Sequence, residues 1–484
     1  MQALLQLVLI WSAVYFAAVV ADRTRMTPVL FYLFFGALMA NLGLLPEKPG
    51  PFIENLANLG IIIIMFALGF EEDTSRFFAA VRSAWGIALF GALGPFLAAW
   101  ATTYLLFGNM QAALMTGLAL AATTVSLSVV SMRHLGLSRS RAARLIMTSA
   151  VIDNISSLAL VAMVLPIATG SAGPDPESIA LSIVRALGFF AFAAVLGIYI
   201  LPRVEDGWFA RVPFLSRFSF AQLVAAARGE YAVLTTLLAG LAIGLIAHEF
   251  GLHPTVGAYI AGLLLREEYY DLGALRGNAW RMTKRVIDEA AFRLFGPVFF
   301  VTLGARIVLD GEILAEVLPS ALALMLAVFA AQVASASLAA RFTAGSSWPE
   351  ALMIGFGMLG RAELAFVVSD IAYVQYGIIS QVQFYVIMFA IFGLNIMVPL
   401  TTAFWKPVYV GRDPRHARPE YGRRPRKGAA RGTARLLHEG RPVHDMAERA
   451  RFISDAETRR RLRRKRRRLT RRPLPGERSS FPDG

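Results

Sequence analysis

Apolar residues recur along this chain in blocks of roughly twenty, the length a helix needs to cross a hydrocarbon core. Clear examples lie at 4–20, 53–70, 313–340 and 382–405. Lipid offers no partner to a backbone N–H or C=O, so blocks of this kind are predicted to be helices. The pattern gives an all-α membrane protein of about thirteen transmembrane helices. They start near Gln2, Thr27, Phe52, Val81, Gln111, Arg141, Ser178, Glu230, His253, Phe292, Ile313, Trp348 and Gln381. The block at 253–265 is short for a full crossing. The first block lacks a basic n-region and is followed by Asp22-Arg23 rather than a small-residue cleavage site, so it reads as a retained span.

Charge orients these spans. Arg23, Arg25, Arg76, Arg82, Arg133, Arg139, Arg141 and Arg144 fall on one side, and the same side takes Arg203 to Arg228, Arg266 to Arg293, and Arg341. The opposite side carries little beyond Lys48 and the acidic pair Asp175 and Glu177. The positive-inside rule then predicts an inner (plasma) membrane protein with its amino terminus outside and its carboxyl terminus cytoplasmic. The long loop at 202–228 separates six spans and a linker from six more, which sets the second half upside down relative to the first. Residues 1–409 hold 24 Lys/Arg and 24 Asp/Glu, so the whole formal charge of +15 resides in 410–484. That tail lacks an apolar face large enough to fold and is predicted to be disordered. Its basic run at 459–472 suits anionic inner-leaflet lipid better than nucleic acid, and no nucleic-acid partner is expected. Apolar residues make up 56% of the chain, and cysteine is absent, which excludes disulfides and thiolate chemistry.

Ionisable groups inside spans are costly and mark pathways or internal pairs. Asp153, in Ser149-Ala-Val-Ile-Asp-Asn-Ile-Ser-Ser157, falls near the middle of the sixth span with no basic residue within two turns. A dry carboxylate of this kind can hold a proton or a metal cation, and competition between them suffices for exchange. The blander reading is a carboxyl group held by Asn154, Ser156 or a neighbouring helix. In the fifth span, Ala121-Ala-Thr-Thr-Val-Ser-Leu-Ser128 concentrates hydroxyls at Thr123, Thr124 and Ser126, as expected of a helix that unwinds and frees oxygen ligands. Small-residue helix packing explains the same string equally well. Gly355-Phe-Gly-Met-Leu-Gly-Arg-Ala-Glu363 matches a dinucleotide fingerprint formally, but it lies inside an apolar span with no strand before it, and that reading is rejected. It fits a second broken helix, with Arg361 and Glu363 neutralising exposed helix ends rather than binding an ion directly. Arg185 and Asp370 either pair or snorkel, and His248 and His253 lack a third metal ligand.

Seven strings in order carry a resemblance. They are Thr27-Pro-Val-Leu-Phe-Tyr-Leu-Phe-Phe-Gly36, Met65-Phe-Ala-Leu-Gly-Phe-Glu71, Ala122-Thr-Thr124, Ala150-Val-Ile-Asp-Asn154, Gly257-Ala-Tyr-Ile-Ala-Gly262, Phe299-Phe-Val-Thr-Leu-Gly304 and Gly360-Arg-Ala-Glu363. With them, residues 1–409 resemble the monovalent cation:proton antiporter superfamily, in its Nap-type and Kef-type branch. The resemblance implies the antiporter fold of two inverted repeats with crossed discontinuous helices, assembled as a homodimer. Panel helices at 1–70 and 230–310, core helices at 77–169 and 313–409, and a linker helix at 178–201 would then divide the work of an elevator-like cycle. It further implies ion binding at Asp153 and Asn154, supported by Thr123, Thr124 and Ser126. Two departures stand out. Relatives carry Asp-Asp, Asn-Asp or Gln-Asp where this chain has Asp153-Asn154, and many have a Lys where it has Gln332. One carboxylate and one base are gone together, which leaves Asp153 freed of its partner to act as carrier.

The expected activity is secondary exchange of Na+ or K+ for protons, without an enzymatic step or cofactor. The rival readings are a channel-like or uniport cation pathway, and a non-transporting scaffold or sensor acting through the tail.

Overall fold

The computed structural model describes residues 1–24, 26–71, 74–168, 176–197, 220–225, 230–270, 279–308, 310–361 and 363–411. The basic tail and most of the 202–228 loop lie outside the described residues. Those described are nearly all helical, and no strand occurs among them beyond one isolated bridge. The first four helices are α1 (Gln2–Thr24), α2 (Pro28–Asn41), α3 (Pro51–Glu71) and α4 (Thr74–Phe107). Next come α5 (Met110–Ala121), α6 (Val125–His134), α7 (Arg141–Ala168), α8 (Pro176–Val195) and the short α9 (Phe220–Ala225). They are followed by α10 (Ala232–Glu249), α11 (Pro254–Leu264), α12 (Ala279–Glu289) and α13 (Gly296–Ala305). The last four are α14 (Gly311–Phe342), α15 (Trp348–Gly357), α16 (Glu363–Asp370) and α17 (Gln381–Gly411). Seven of the described helices are long and apolar enough to cross a membrane.

Local chemistry sets the starts. Asn109 accepts from the amides of Gln111 (3.0 Å) and Ala112 (3.2 Å), capping α5. Pro28, Pro254 and Pro349 occupy first-turn positions, where a missing N–H costs nothing. Between α4 and α5 the chain reverses within two residues, and Gly108 supplies the positive φ of 65° this requires.

Three boundaries differ from the sequence expectation. The helix carrying the span expected from Val81 already begins at Thr74. The span expected from Phe292 is preceded by amphipathic α12 and a π-helical turn, Ala290–Phe295. Hydropathy missed α12 because polar contacts stabilise it: Lys284–Asp288 (3.4 Å) and Arg285–Glu289 (3.0 Å) are i,i+4 ion pairs. The long loop also contains α9, too short to show a periodicity.

Helix packing turns on glycine. A Cβ at Gly36 would strike the Val301 carbonyl of α13, and one at Gly304 would strike the Leu33 carbonyl of α2. The same reciprocity joins α3 and α11, where Gly69 abuts the Tyr259 carbonyl and Gly262 the Phe66 carbonyl. Four of the seven strings noted above therefore mark points of backbone-to-backbone approach, the device by which helices associate where lipid is as apolar as leucine. Elsewhere α4 runs along α5, α7 and α14, and α17 packs on α14 and α15.

Candidate functional site

Two helices break at the centre of the molecule. Between α5 and α6 the residues Ala122 (ψ 133°) and Thr124 (ψ 131°) are extended. Between α15 and α16 the residues around Gly360 and Arg361 leave the helix as well. The breaks meet: Thr123 and Arg361 form an antiparallel bridge, and the Thr124 amide donates to the Gly360 carbonyl at 3.0 Å. Glycine at 360 is required by this approach, since a Cβ would come within 2.6 Å of the Thr124 methyl. Interrupted helices strand backbone groups in an apolar interior, where each orphan costs several kcal/mol, of order 2–7. The breaks answer one another here. The Arg361 guanidinium reaches the Ala121 carbonyl at the end of α5 (Nη1 to O, 3.5 Å), and the Ser128 hydroxyl donates to the Gly357 carbonyl at the end of α15. A cation at a helix carboxyl end opposes its partial negative charge.

Asp153, on α7, is fully buried beside this crossing. Its Oδ2 accepts from the Thr123 amide (2.9 Å) and the Thr123 hydroxyl (2.5 Å). Its Oδ1 has no hydrogen-bond partner among the described residues. Arg361 is near enough to act on it electrostatically. The two unwound segments bring Thr123 and Arg361 to Asp153 from 30 and 208 residues away in sequence, so a neighbouring helix break holds the carboxylate. Gln332 is wholly buried on α14, and its Oε1 accepts from Arg361 Nη2 at 2.8 Å. Thus Gln332, expected from the resemblance to stand where many relatives have a Lys, holds Arg361.

A cavity of about 660 Å³ reaches the crossing. Its polar lining includes Thr123, Thr124, Asn154, Glu71 and Glu363, set in a largely apolar wall that includes Tyr32, Met65 and Phe300. Asn154 lines this cavity, whereas Asp153 lies behind it. Glu363 is the first residue of α16, at the amino end of that half-helix. Only the backbone of Ser126 is described, so its expected contribution lies outside the described residues. Asp370 accepts from Gln375 (3.1 Å) and Arg185 is exposed on α8, so these two are not a pair. Groups of three or more metal-ligating His, Asp or Glu are absent among the described residues.

Two residues beside the crossing were not singled out as site candidates from the sequence: Glu71, which lines the cavity, and Asn395 of α17, whose Oδ1 accepts from the Arg361 amide at 2.7 Å. Glu71 was legible as an acid closing an otherwise apolar block. Asn395 was not, because a single amide in a long apolar helix has no signature until its partner is known.

The family model described as "Sodium/hydrogen exchanger, transmembrane" matches residues 9–405, most of the chain. The chain belongs to the sodium/hydrogen exchanger family. It is an integral membrane cation/proton antiporter and not an enzyme. A similar protein is the probable Na+/H+ antiporter GerT of Bacillus cereus, 27% identical over 75% of this chain and 89% of that protein. Another is the Na+/H+-K+ antiporter GerN of Bacillus cereus, 26% identical over 72% of this chain and 81% of that protein. Among solved structures, the sodium proton antiporter MjNhaP1 of Methanocaldococcus jannaschii superposes with a TM-score of 0.62 at 14% identity, covering 85% of this chain and 98% of that one. Its fold is the antiporter fold.

Proposed function

We propose that this antiporter exchanges Na+ or K+ for protons across the inner membrane, with Asp153 as the one carboxylate that both ions share. The observation that carries this reading is the state of that carboxylate. One oxygen is held by Thr123, the other has no hydrogen-bond partner among the described residues, and the buried group lies behind a cavity lined by its neighbours Thr123 and Asn154. Thr123, Thr124 and Asn154 supply the neutral oxygens that a small hard cation needs beside a carboxylate. Arg361 remains cationic throughout the cycle, because a guanidinium does not release its proton in proteins.

The cavity is lined by the start of α2, the end of α3 and the segment before α13. The basic residues Arg23, Arg76 and Arg293 fall at or beside those ends in sequence, which supports a cytoplasm-facing state with the amino terminus outside. In an elevator-type cycle the helices of 77–169 and 313–409 carry the crossing past those of 1–70 and 230–310.

Everted vesicles containing a proton gradient, reported by a dequenching dye, test the assignment. Adding Na+ or K+ collapses the gradient for the parent protein and leaves it standing for Asp153→Asn at equal abundance. Full exchange by that variant removes Asp153 from the site.

A further inference from the structure

We propose that Asn395, on α17, is a positioning residue of the ion site: it clamps the unwound Arg361 peptide against Thr123 and so fixes the donors that reach Asp153. The inference rests on the reading of Asp153 as the shared carboxylate.

The unwound peptide at Arg361 faces two neighbours. On one side Thr123 forms the antiparallel bridge. On the other, Asn395 Oδ1 accepts from the Arg361 amide at 2.7 Å, and Asn395 Nδ2 points to the Arg361 carbonyl at 3.5 Å. A primary amide has one acceptor and a donor pair on a planar fork, so it can pair with a peptide N–H and C=O as a neighbouring strand would. Asn395 is only 3% exposed, so water is no ready substitute. Removing it strands a buried amide in the one stretch of α15–α16 that has no helical partner for it.

The rest of that face of α17 serves the same crossing. Asn395, Val398 and Thr402 stand at i, i+3 and i+7 and are all buried. Val398 packs where a Gly360 Cβ would be, 3.4 Å away. The Thr402 hydroxyl pairs with Ser131 of α6 at 2.7 Å. One stripe thus holds the break of one helix and the second half of the other. The chain of contacts from Asn395 runs through the Arg361 peptide and Thr123 to Asp153 Oδ2. A shift at Asn395 therefore moves the hydroxyl and amide that orient the carboxylate, without Asn395 touching the ion.

The test uses the full chain in proteoliposomes, measuring initial exchange against Na+ and K+ concentration across pH, with melting temperature and abundance recorded for each variant. Asn395→Ala is expected to raise the half-saturating cation concentration about 10-fold, the scale of a lost hydrogen bond to a charged group's support, and to displace the pH profile. Asn395→Asp keeps the acceptor for the Arg361 amide and loses the donor, so it is expected to give a smaller rise, about 3-fold, with the profile again displaced. A merely structural role would lower the melting temperature and maximal rate while leaving half-saturation and pH profile at parent values, and that result overturns the proposal. Should Asn395→Ala fail to accumulate, Asn395→Asp decides, and parent values for both quantities overturn it equally. Asp153→Asn is run alongside. If it is inactive while the Asn395 variants behave as the parent, the positioning role fails and the site reading stands. If it still exchanges, both fail.

Discussion

Thr123 does two things at one residue: its amide and its hydroxyl both donate to Asp153, and its backbone bridges Arg361. Thr123→Val keeps the shape and backbone bond and removes only the hydroxyl. Losing a hydrogen bond to a charged group costs about 1.5–3 kcal/mol, so apparent cation affinity is expected to fall roughly 10- to 100-fold with the fold intact. Concentration dependence of exchange in proteoliposomes checks this, and an unchanged half-saturation counts against the Thr123 contact. Gln332 is a second residue whose role follows from its partner. Gln332→Leu leaves a buried guanidinium nitrogen unpaired, and the expected destabilisation is about 2–3 kcal/mol, read as a lower melting temperature in detergent. Gln332→Glu keeps an acceptor for Arg361 and is expected to accumulate better than the leucine variant.

At the scale of helices, a set of polar links joins helix ends that do not line the cavity. His253, in the loop before α11, caps that helix by accepting at Nδ1 from the Thr255 amide (3.4 Å), and its Nε2 meets Gln375 Oε1 at 3.0 Å. Gln375 in turn donates to Asp370, and the Tyr385 hydroxyl receives from the Val308 amide (2.7 Å) and donates to the Arg306 carbonyl (3.0 Å). These links tie the start of α11 and the end of α13 to the end of α16 and the start of α17, away from the residues that line the cavity. Burial holds the His253 imidazole below its ordinary value, with His248 adding to the effect and the Gln375 bond opposing it. The neutral ring fits both contacts, one nitrogen accepting and one donating, whereas a protonated ring cannot accept at Nδ1. A depressed histidine value means the latch is at full strength above the ordinary imidazole range, about 6.5, and is lost as pH falls below it. Protection factors of the amides at the start of α11, corrected for the intrinsic pH dependence of exchange, are expected to fall on acidification in the parent and to stay constant in His253→Gln. The glycine contacts belong to this scale too. Gly69→Val drives a side chain into the Tyr259 carbonyl, and overpacking of this kind costs about 1–3 kcal/mol, again read by melting.

For the molecule as a whole, one shared carboxylate and a permanently charged arginine have a consequence for charge movement. On the proposed reading, Asp153 would trade one proton for one monovalent cation and Arg361 would trade nothing, so the cycle would carry no net charge. Exchange rates are expected to stay the same when the membrane potential is clamped at zero or made strongly negative, as measured in proteoliposomes with a potassium-selective ionophore. The basic tail stands apart from this chemistry. Truncation after Gly411 is expected to leave exchange unchanged, and a separate peptide of residues 412–484 is expected to bind vesicles containing anionic lipid, at about 1 kcal/mol for each basic residue near the surface.

The apolar blocks, their order and the resemblance strings were legible in the chain itself, because a bilayer permits so few backbone solutions that hydropathy and glycine placement nearly specify them. Asp153, the hydroxyl string and the glycines around Gly360 could be singled out for the same reason, since polar or unwinding residues in hydrocarbon are conspicuous. Their partners could not. That Asp153 meets Thr123, that Arg361 meets Gln332 and Asn395, and that Asn154 rather than Asp153 faces the cavity are decided by the crossing of two broken helices far apart in sequence. Periodicity records which face of a helix is apolar. It holds no information on which distant segment that face meets, and hydrogen bonds act over ångströms that only the folded arrangement sets.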